Sequence, residues 1–208
     1  MNIIDLTHVI NENMSVYFED ERPTIKDICS CKEHGFAQKS LNIFTHTGTH
    51  IDAPAHVFED GKTLDDYPID HFVGNAFILN CENKEKCSEL IKSHKDIIDK
   101  VDFLLFNFGW DKKWGKESYT KDFPTIDDEC VSIIKKFKLK AIGVDTISPD
   151  KLNDNSLSIH KSLLSDDILI IENLSNLDKC PKCIFKLYCM TLNIENADGA
   201  PARVFAVI

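Results

Sequence analysis

Short apolar runs alternate with polar stretches along this chain, and the runs sort by period. Ile3 to Leu6 is an apolar opening of strand length; residues 9 to 22 after it are polar and irregular, interrupted by the aromatic pair Tyr17-Phe18. Thr24 to Cys31 and Phe36 to Phe44 alternate apolar and polar positions around Glu33-His34-Gly35, the pattern of two strands joined by a turn. Val73 to Asn80, Val101 to Phe108, Lys140 to Val144 and Ile168 to Ile171 are compact apolar runs, which predict buried strands. Helical spacing marks Lys84 to Asp99 and Asp127 to Phe137, the latter with Ile133, Ile134 and Phe137 inward, and Ile159 to Leu164 predicts a helical turn. Phe185 to Ile194 and Val204 to Ile208 predict two closing strands. Alternation in the middle with strands at both ends predicts a mixed α/β fold. The 208 residues suit a single domain spanning 1–208. Residues 109 to 125 form a loop long enough to imply a functional role.

Composition narrows the class. A formal net charge of −10, with basic residues scattered apart from Lys135 to Lys140, argues against a nucleic-acid surface. The chain has no apolar run of membrane-spanning length, and its N-terminus lacks the basic flank of a secretory signal. A cytoplasmic protein that binds neither membrane nor nucleic acid is expected. Eight cysteines include Cys29-x-Cys31 and Cys180-Pro-Lys-Cys183. In a chain long enough to need no covalent staples, reduced thiols are the expectation.

The densest chemistry lies in His46-Thr-Gly-Thr-His50-Ile-Asp52-Ala-Pro54-Ala-His56. Imidazole and carboxylate together suit a borderline divalent cation such as zinc or manganese. Threonines, Gly48 and Pro54 disfavour a helix. In extended backbone the even positions share a face. A straight strand would nevertheless carry His46 roughly 33 Å from His56, at about 3.3 Å per residue. The chain must therefore bend, and Gly48 and Pro54 allow it. A strand ending near Thr45 and an irregular turn wrapped around a metal are predicted.

This run resembles the H-x-G-T-H-x-D-x-P-x-H signature of the "putative cyclase" family, which includes bacterial kynurenine formamidase and isatin hydrolase. The resemblance extends to Asp5-Leu-Thr-His8, Gly109-Trp110-Asp111, Gly143-Val-Asp145-Thr146, Ile159-His160-Lys-Ser-Leu-Leu164, Ile171-Glu172-Asn173-Leu174 and Asp198-Gly199-Ala-Pro201-Ala-Arg203. It implies a swivelling β/β/α-type fold, assembled as a homodimer or higher homo-oligomer. It implies that His46, His50 and Asp52 bind a first divalent ion, zinc or manganese, and that Asp52 bridges to a second held by His160 and Glu172. His56, beyond the bend at Pro54, is cast as the acid/base residue, since an imidazole transfers protons near neutrality. Coordination would lower the pKa of water to about 7, giving a nucleophile for a small-molecule amide. Aryl amides require an aromatic pocket, for which Tyr17, Phe18 and Trp110 are candidates. The early loop departs from the family's formamidases: it reads Tyr17-Phe18-Glu19-Asp20 where they carry an aromatic residue, Pro, Gly and Asp. The same ligand set also fits a cyclase or dehydratase-type lyase. A non-enzymatic metal-binding protein is the third reading, which a spare proton carrier at His56 disfavours.

Overall fold

A computed structural model describes residues 1–82, 86–152 and 154–208. In chain order its strands are β1 (Ile3–Asp5), β2 (Thr24–Cys29), β3 (Gln38–Asn42), β4 (His50–Asp52), β5 (Val73–Asn80), β6 (Phe103–Asn107), β7 (Ala141–Val144), β8 (Leu169–Glu172), β9 (Phe185–Thr191) and β10 (Gly199–Val207). Its helices are α1 (Cys31–His34), α2 (Cys87–Ser93), α3 (Lys95–Ile98), α4 (Asp128–Ile134) and α5 (Ser158–Leu164).

Neighbouring strands run β10-β4-β8-β7-β6-β5-β9, and β9 pairs back onto β10, so the sheet closes into a seven-stranded barrel. The mixed α/β expectation holds, and the closure is additional to it. β5, β6, β7 and β8 are mutually parallel, joined by connections that carry α2 to α5. Every residue of β6, β7 and β8 is buried, as strands covered on both faces must be. Fully burying each of their leucines and isoleucines contributes about 1.5–3 kcal/mol. β9 and β10 run antiparallel and alternate: Phe185, Leu187 and Cys189 are buried on β9 and Ala202, Val204 and Ala206 on β10, with Cys189 opposite Val204 and Leu187 opposite Ala206. Gly143 in β7 leaves room for the core, because a Cβ there would lie 2.6 Å from a Leu105 methyl and 2.7 Å from a Leu174 methyl and would push both buried side chains aside.

Several boundaries differ from those predicted. The last strand begins at Gly199 rather than Val204, and β10 contacts three strands: β9 along one edge, β4 and then β1 along the other. β3 ends at Asn42 rather than Thr45, and the metal-type segment contains a strand of its own, β4. The predicted helix over Lys84 to Asp99 divides at His94 into α2 and α3; Lys84 and Glu85 lie outside the described residues. β2 and β3 form a largely exposed hairpin whose turn holds α1, ended by Gly35 in the left-handed region at φ 78°. Among the described residues no disulfide joins any pair of cysteines. Among the described residues no helix is long and apolar enough to cross a membrane.

Candidate active site

The parallel strands end on one side of the barrel, and the segments that follow them gather there with β4. His50 and Asp52 are two positions apart on β4 and share a face. The register sets His50 opposite Glu172 on β8 and opposite Pro201 on β10. Gly48, at φ 69°, makes the bend that lets His46 return toward Asp52. Pro54 opens a short 3-10 turn, Pro54–His56, that brings His56 back over the site, its ring 4.0 Å from that of His46 and 5.6 Å from that of His160. Gly48 and Pro54 thus do what their residue types predicted. His160 is the third residue of α5, and Glu172 is the last of β8.

Each of three imidazoles has one nitrogen tied back and the other aimed at Asp52, and those of His50 and His160 face Glu172 as well. His50 Nδ1 donates to the Gly48 carbonyl at 2.8 Å; a carbonyl can only accept, so the proton is on Nδ1. Its Nε2 then faces Asp52 Oδ1 at 3.2 Å and Glu172 Oε2 at 3.4 Å. His160 Nδ1 meets Asp150 Oδ2 at 2.6 Å, and its Nε2 lies 3.2 Å from Glu172 Oε1 and 3.6 Å from Asp52 Oδ2. His46 Nε2 meets Asp198 Oδ2 at 3.0 Å, and its Nδ1 lies 2.7 Å from Asp52 Oδ1. Carboxylate or carbonyl groups behind histidines are the usual way a protein orients imidazoles toward a metal.

Acceptors facing acceptors at this range need protons or a cation between them. Asp52 Oδ2 and Glu172 Oε1 are buried with no hydrogen-bond partner, although both residues are nearly inaccessible. Without a metal the histidines take up the charge. Burial opposes protonation of His46, but Asp198 and Asp52 beside it raise its pKa to about 10. His50 and His160 are likewise raised against their burial by the carboxylates around them. Asp52 is held well below the usual carboxylate range by His50, His160 and His46, despite its burial. Glu172 is pushed up by burial and by the charge of Asp52. His46, His50 and Asp52 form one set able to hold a metal, and Asp52, His160 and Glu172 a second, each with its ligand atoms within 4.8 Å of one another. Hard oxygen and borderline nitrogen donors in this ratio fit a zinc- or manganese-type ion. His56, His46 and Asp198 make a third such set. His56 itself is lowered in pKa, chiefly by burial, and so is neutral at physiological pH.

The site opens into a cavity of about 350 Å³. Met14, Tyr17, Phe18, Phe44, Ile147 and Leu157 form its apolar wall. Tyr17 and Phe18 therefore stand where the early loop was predicted to bring them. Trp110 does not reach the cavity. Its indole Nε1 donates to the Tyr119 carbonyl at 2.8 Å, and it packs with Tyr17 and Trp114 on a cluster of Tyr119, Phe123 and Ile147. Its part is to back the wall that Tyr17 presents.

Three residues at the site were not foreseen in this role. Asp150 lies ten positions from His160, with no local pattern to flag it. Asp198 stood inside a recognisable run and could have been drawn from it. Asn173 donates through Nδ2 to the Gly48 carbonyl at 2.9 Å and accepts from the Tyr119 hydroxyl at 2.8 Å, tying the bend before β4 to the segment after β8.

The model of one protein family, described as "Putative cyclase", matches residues 4–151. The chain belongs to the cyclase family. Kynurenine formamidase of Bacillus cereus is 31% identical over 203 residues, covering 96% of this cyclase-family chain and 94% of that relative. Kynurenine formamidase of Bacillus anthracis is 31% identical over 204 residues, with the same coverage of both chains. Among solved structures, an isatin hydrolase bound to the product analogue thioisatinate superposes with a TM-score of 0.86 at 22% identity, covering 99% of this chain and 92% of the other. A potential metal-dependent hydrolase with cyclase activity superposes with a TM-score of 0.82 at 25% identity, covering 99% and 96%.

Proposed function

We infer that this cyclase-family chain is a metal-dependent amide hydrolase of the kynurenine formamidase kind, acting on an amide beside an aromatic ring. The observation that carries the reading is the pair of ligand sets sharing Asp52 at the floor of an aromatic-walled cavity, with neutral His56 alongside. The kinship with kynurenine formamidases over nearly the whole chain supports the same activity.

His46, His50 and Asp52 would hold one ion, and Asp52, His160 and Glu172 another. Divalent ions bound there supply Lewis-acid polarisation of a carbonyl and an acidified water. The chain's own residues do the rest. Tyr17 and Phe18 take the aryl ring and set the amide against the floor of the cavity. His56, uncharged and packed against His46 and His160, accepts a proton from the attacking water and returns it to the departing nitrogen. Water thus adds across the C–N bond, the acyl carbon gaining hydroxyl and the nitrogen gaining hydrogen. Asp198, 3.7 Å from His56 Nδ1, stabilises that imidazole when it is charged.

Two zinc or manganese ions per chain, a homodimeric assembly, a cytoplasmic location and the swivelling β/β/α classification complete the proposal; a barrel with its helices in the connections is compatible with the last. The test is formate release from N-formylkynurenine and formanilide by metal-depleted, zinc-loaded and manganese-loaded protein. Release is expected only from loaded protein. Full activity after verified metal removal, or no formate from any aryl formamide, would overturn the reading; the second outcome would favour the cyclase or dehydratase-type lyase.

A further inference from the structure

The cavity lining outside the ligand sets carries a charge pattern that amide hydrolysis does not use. Two carboxylates, Glu21 and Asp154, line the cavity together with Tyr17, Phe18 and Phe44, and no lysine or arginine does so among the described residues. The loop that builds this wall has one cation of its own, Arg22, and it is committed elsewhere. Its guanidinium grips Glu19 at 2.8 Å and the backbone oxygens of Met14 and Glu12 at 3.0 and 3.1 Å. Asp154 is fixed by Ser156, whose hydroxyl and backbone N–H donate to it at 2.5 and 2.9 Å and hold its carboxyl below the usual range. A carboxylate entering here would shed water to meet neutral donors such as Asn155 but no lysine or arginine among the described lining residues, against two like charges. An ammonium would meet two carboxylates and the negative faces of aromatic rings.

We propose that the cavity selects aryl amides whose ring substituent is neutral or cationic and discriminates against those bearing a carboxylate, with Glu21 and Asp154 setting the sign. The inference rests on the hydrolase reading for the amide end of the substrate and on Glu21 and Asp154 in the cavity lining for the substituent. An amino-acid-type substituent, which carries both charges, enters with its ammonium toward Glu21 and Asp154.

The experiment uses zinc-loaded full-length protein and three probes: formanilide, formanilide bearing an aminoethyl group, and formanilide bearing a carboxymethyl group. Calorimetry reads binding and formate release reads turnover. Partly exposed charge pairs are each worth a few-fold, so reversing the substituent's sign against two of them should separate cation from anion by about tenfold at low salt. The gap should narrow as ionic strength rises from about 0.01 M to about 1 M, where the screening length falls from about 30 Å to about 3 Å. E21Q and D154N should each shrink the cation-to-anion ratio a few-fold, and the double variant should bring it close to one. Equal binding of the two charged probes, or a ratio indifferent to both substitutions, would overturn the proposal. A charge preference in binding with no formate from any probe would remove the hydrolase reading and leave the selection standing. Equal binding with formate from all three would do the reverse.

Discussion

Replacing Asp150 with alanine separates what holds the second ligand set from what binds in it. Asp150, 2% exposed, accepts from His160 Nδ1 at 2.6 Å, from the backbone N–H of His160 and Ile159 at 3.0 and 2.9 Å, and from the Ser158 hydroxyl at 3.4 Å. Asp150→Ala strands two backbone donors at the start of α5 and one imidazole donor. At roughly 1 kcal/mol for each lost hydrogen bond, the cost is about 3 kcal/mol of folding stability. His160 also loses the group that fixes its ring, and losing such a partner typically weakens metal binding about 10- to 100-fold. Urea unfolding of metal-free protein reads the first quantity, and competition with a chromogenic chelator for zinc reads the second. In Asp150→Asn the amide oxygen can still accept from the backbone of α5, so part of the stability returns. Its NH₂ group cannot accept from His160, so the metal stays weakly bound. Parental zinc affinity in Asp150→Ala would show that His160 is not a ligand. A stability loss well under 1 kcal/mol would refute the account of how α5 begins.

His56→Ala should lower kcat by about 10²-fold or more while metal content stays near parental, whereas His50→Ala should lose metal; elemental analysis showing equal metal loss in both would make His56 a ligand instead. Tyr17→Ala should raise KM about tenfold for aryl amides and less for small aliphatic ones, with kcat changed less, and equal losses on both classes would mean that Tyr17 only packs the loop. Burial pushes Asp145 up to about 7 although the backbone N–H groups of Phe108 and Trp110 donate to it. The folded chain therefore keeps this proton while the unfolded chain releases it near pH 4, so stability falls as pH rises from about 4 to 7, by about 4 kcal/mol from this group. The stability of Asp145→Asn relative to the parent should accordingly shift in the variant's favour across that window, and a difference independent of pH would refute the assignment.

The strands β6 to β8 were legible because burial on both faces leaves a plain apolar signature, as in Phe103-Leu104-Leu105-Phe106. The start of β10 was not, because Gly199-Ala-Pro201 reads as a turn, whereas Pro201 sits in the ladder beside His50. Barrel closure depends on pairings such as Arg203 with Met190 and Gly199 with Asp52, and no local pattern encodes which strand lies next to which. At the site, the even spacing of His50 and Asp52 and the breakers Gly48 and Pro54 act within a few residues and could be read directly. Asp150 acts on His160 through space, so its part appears only when α5 is placed. Trp110 shows the opposite failure: an aromatic residue in a long loop fits a pocket by type, but its indole N–H is used by Tyr119.

The strand that completes the site is synthesised after every candidate ligand residue. β4 is three residues long and takes its backbone partners from β8 on one side and β10 on the other. A nascent chain that has passed residue 172 but not reached residue 198 already displays all five candidate ligand positions, yet one flank of His50–Asp52 is bare, and Asp198, just ahead of β10, is not yet there to steady His46. Discrimination among divalent ions comes from geometry more than from intrinsic affinity. A divalent ion held by these residues would therefore meet its full coordination geometry only after β10 has docked, so selection by geometry would follow that docking rather than accompany synthesis.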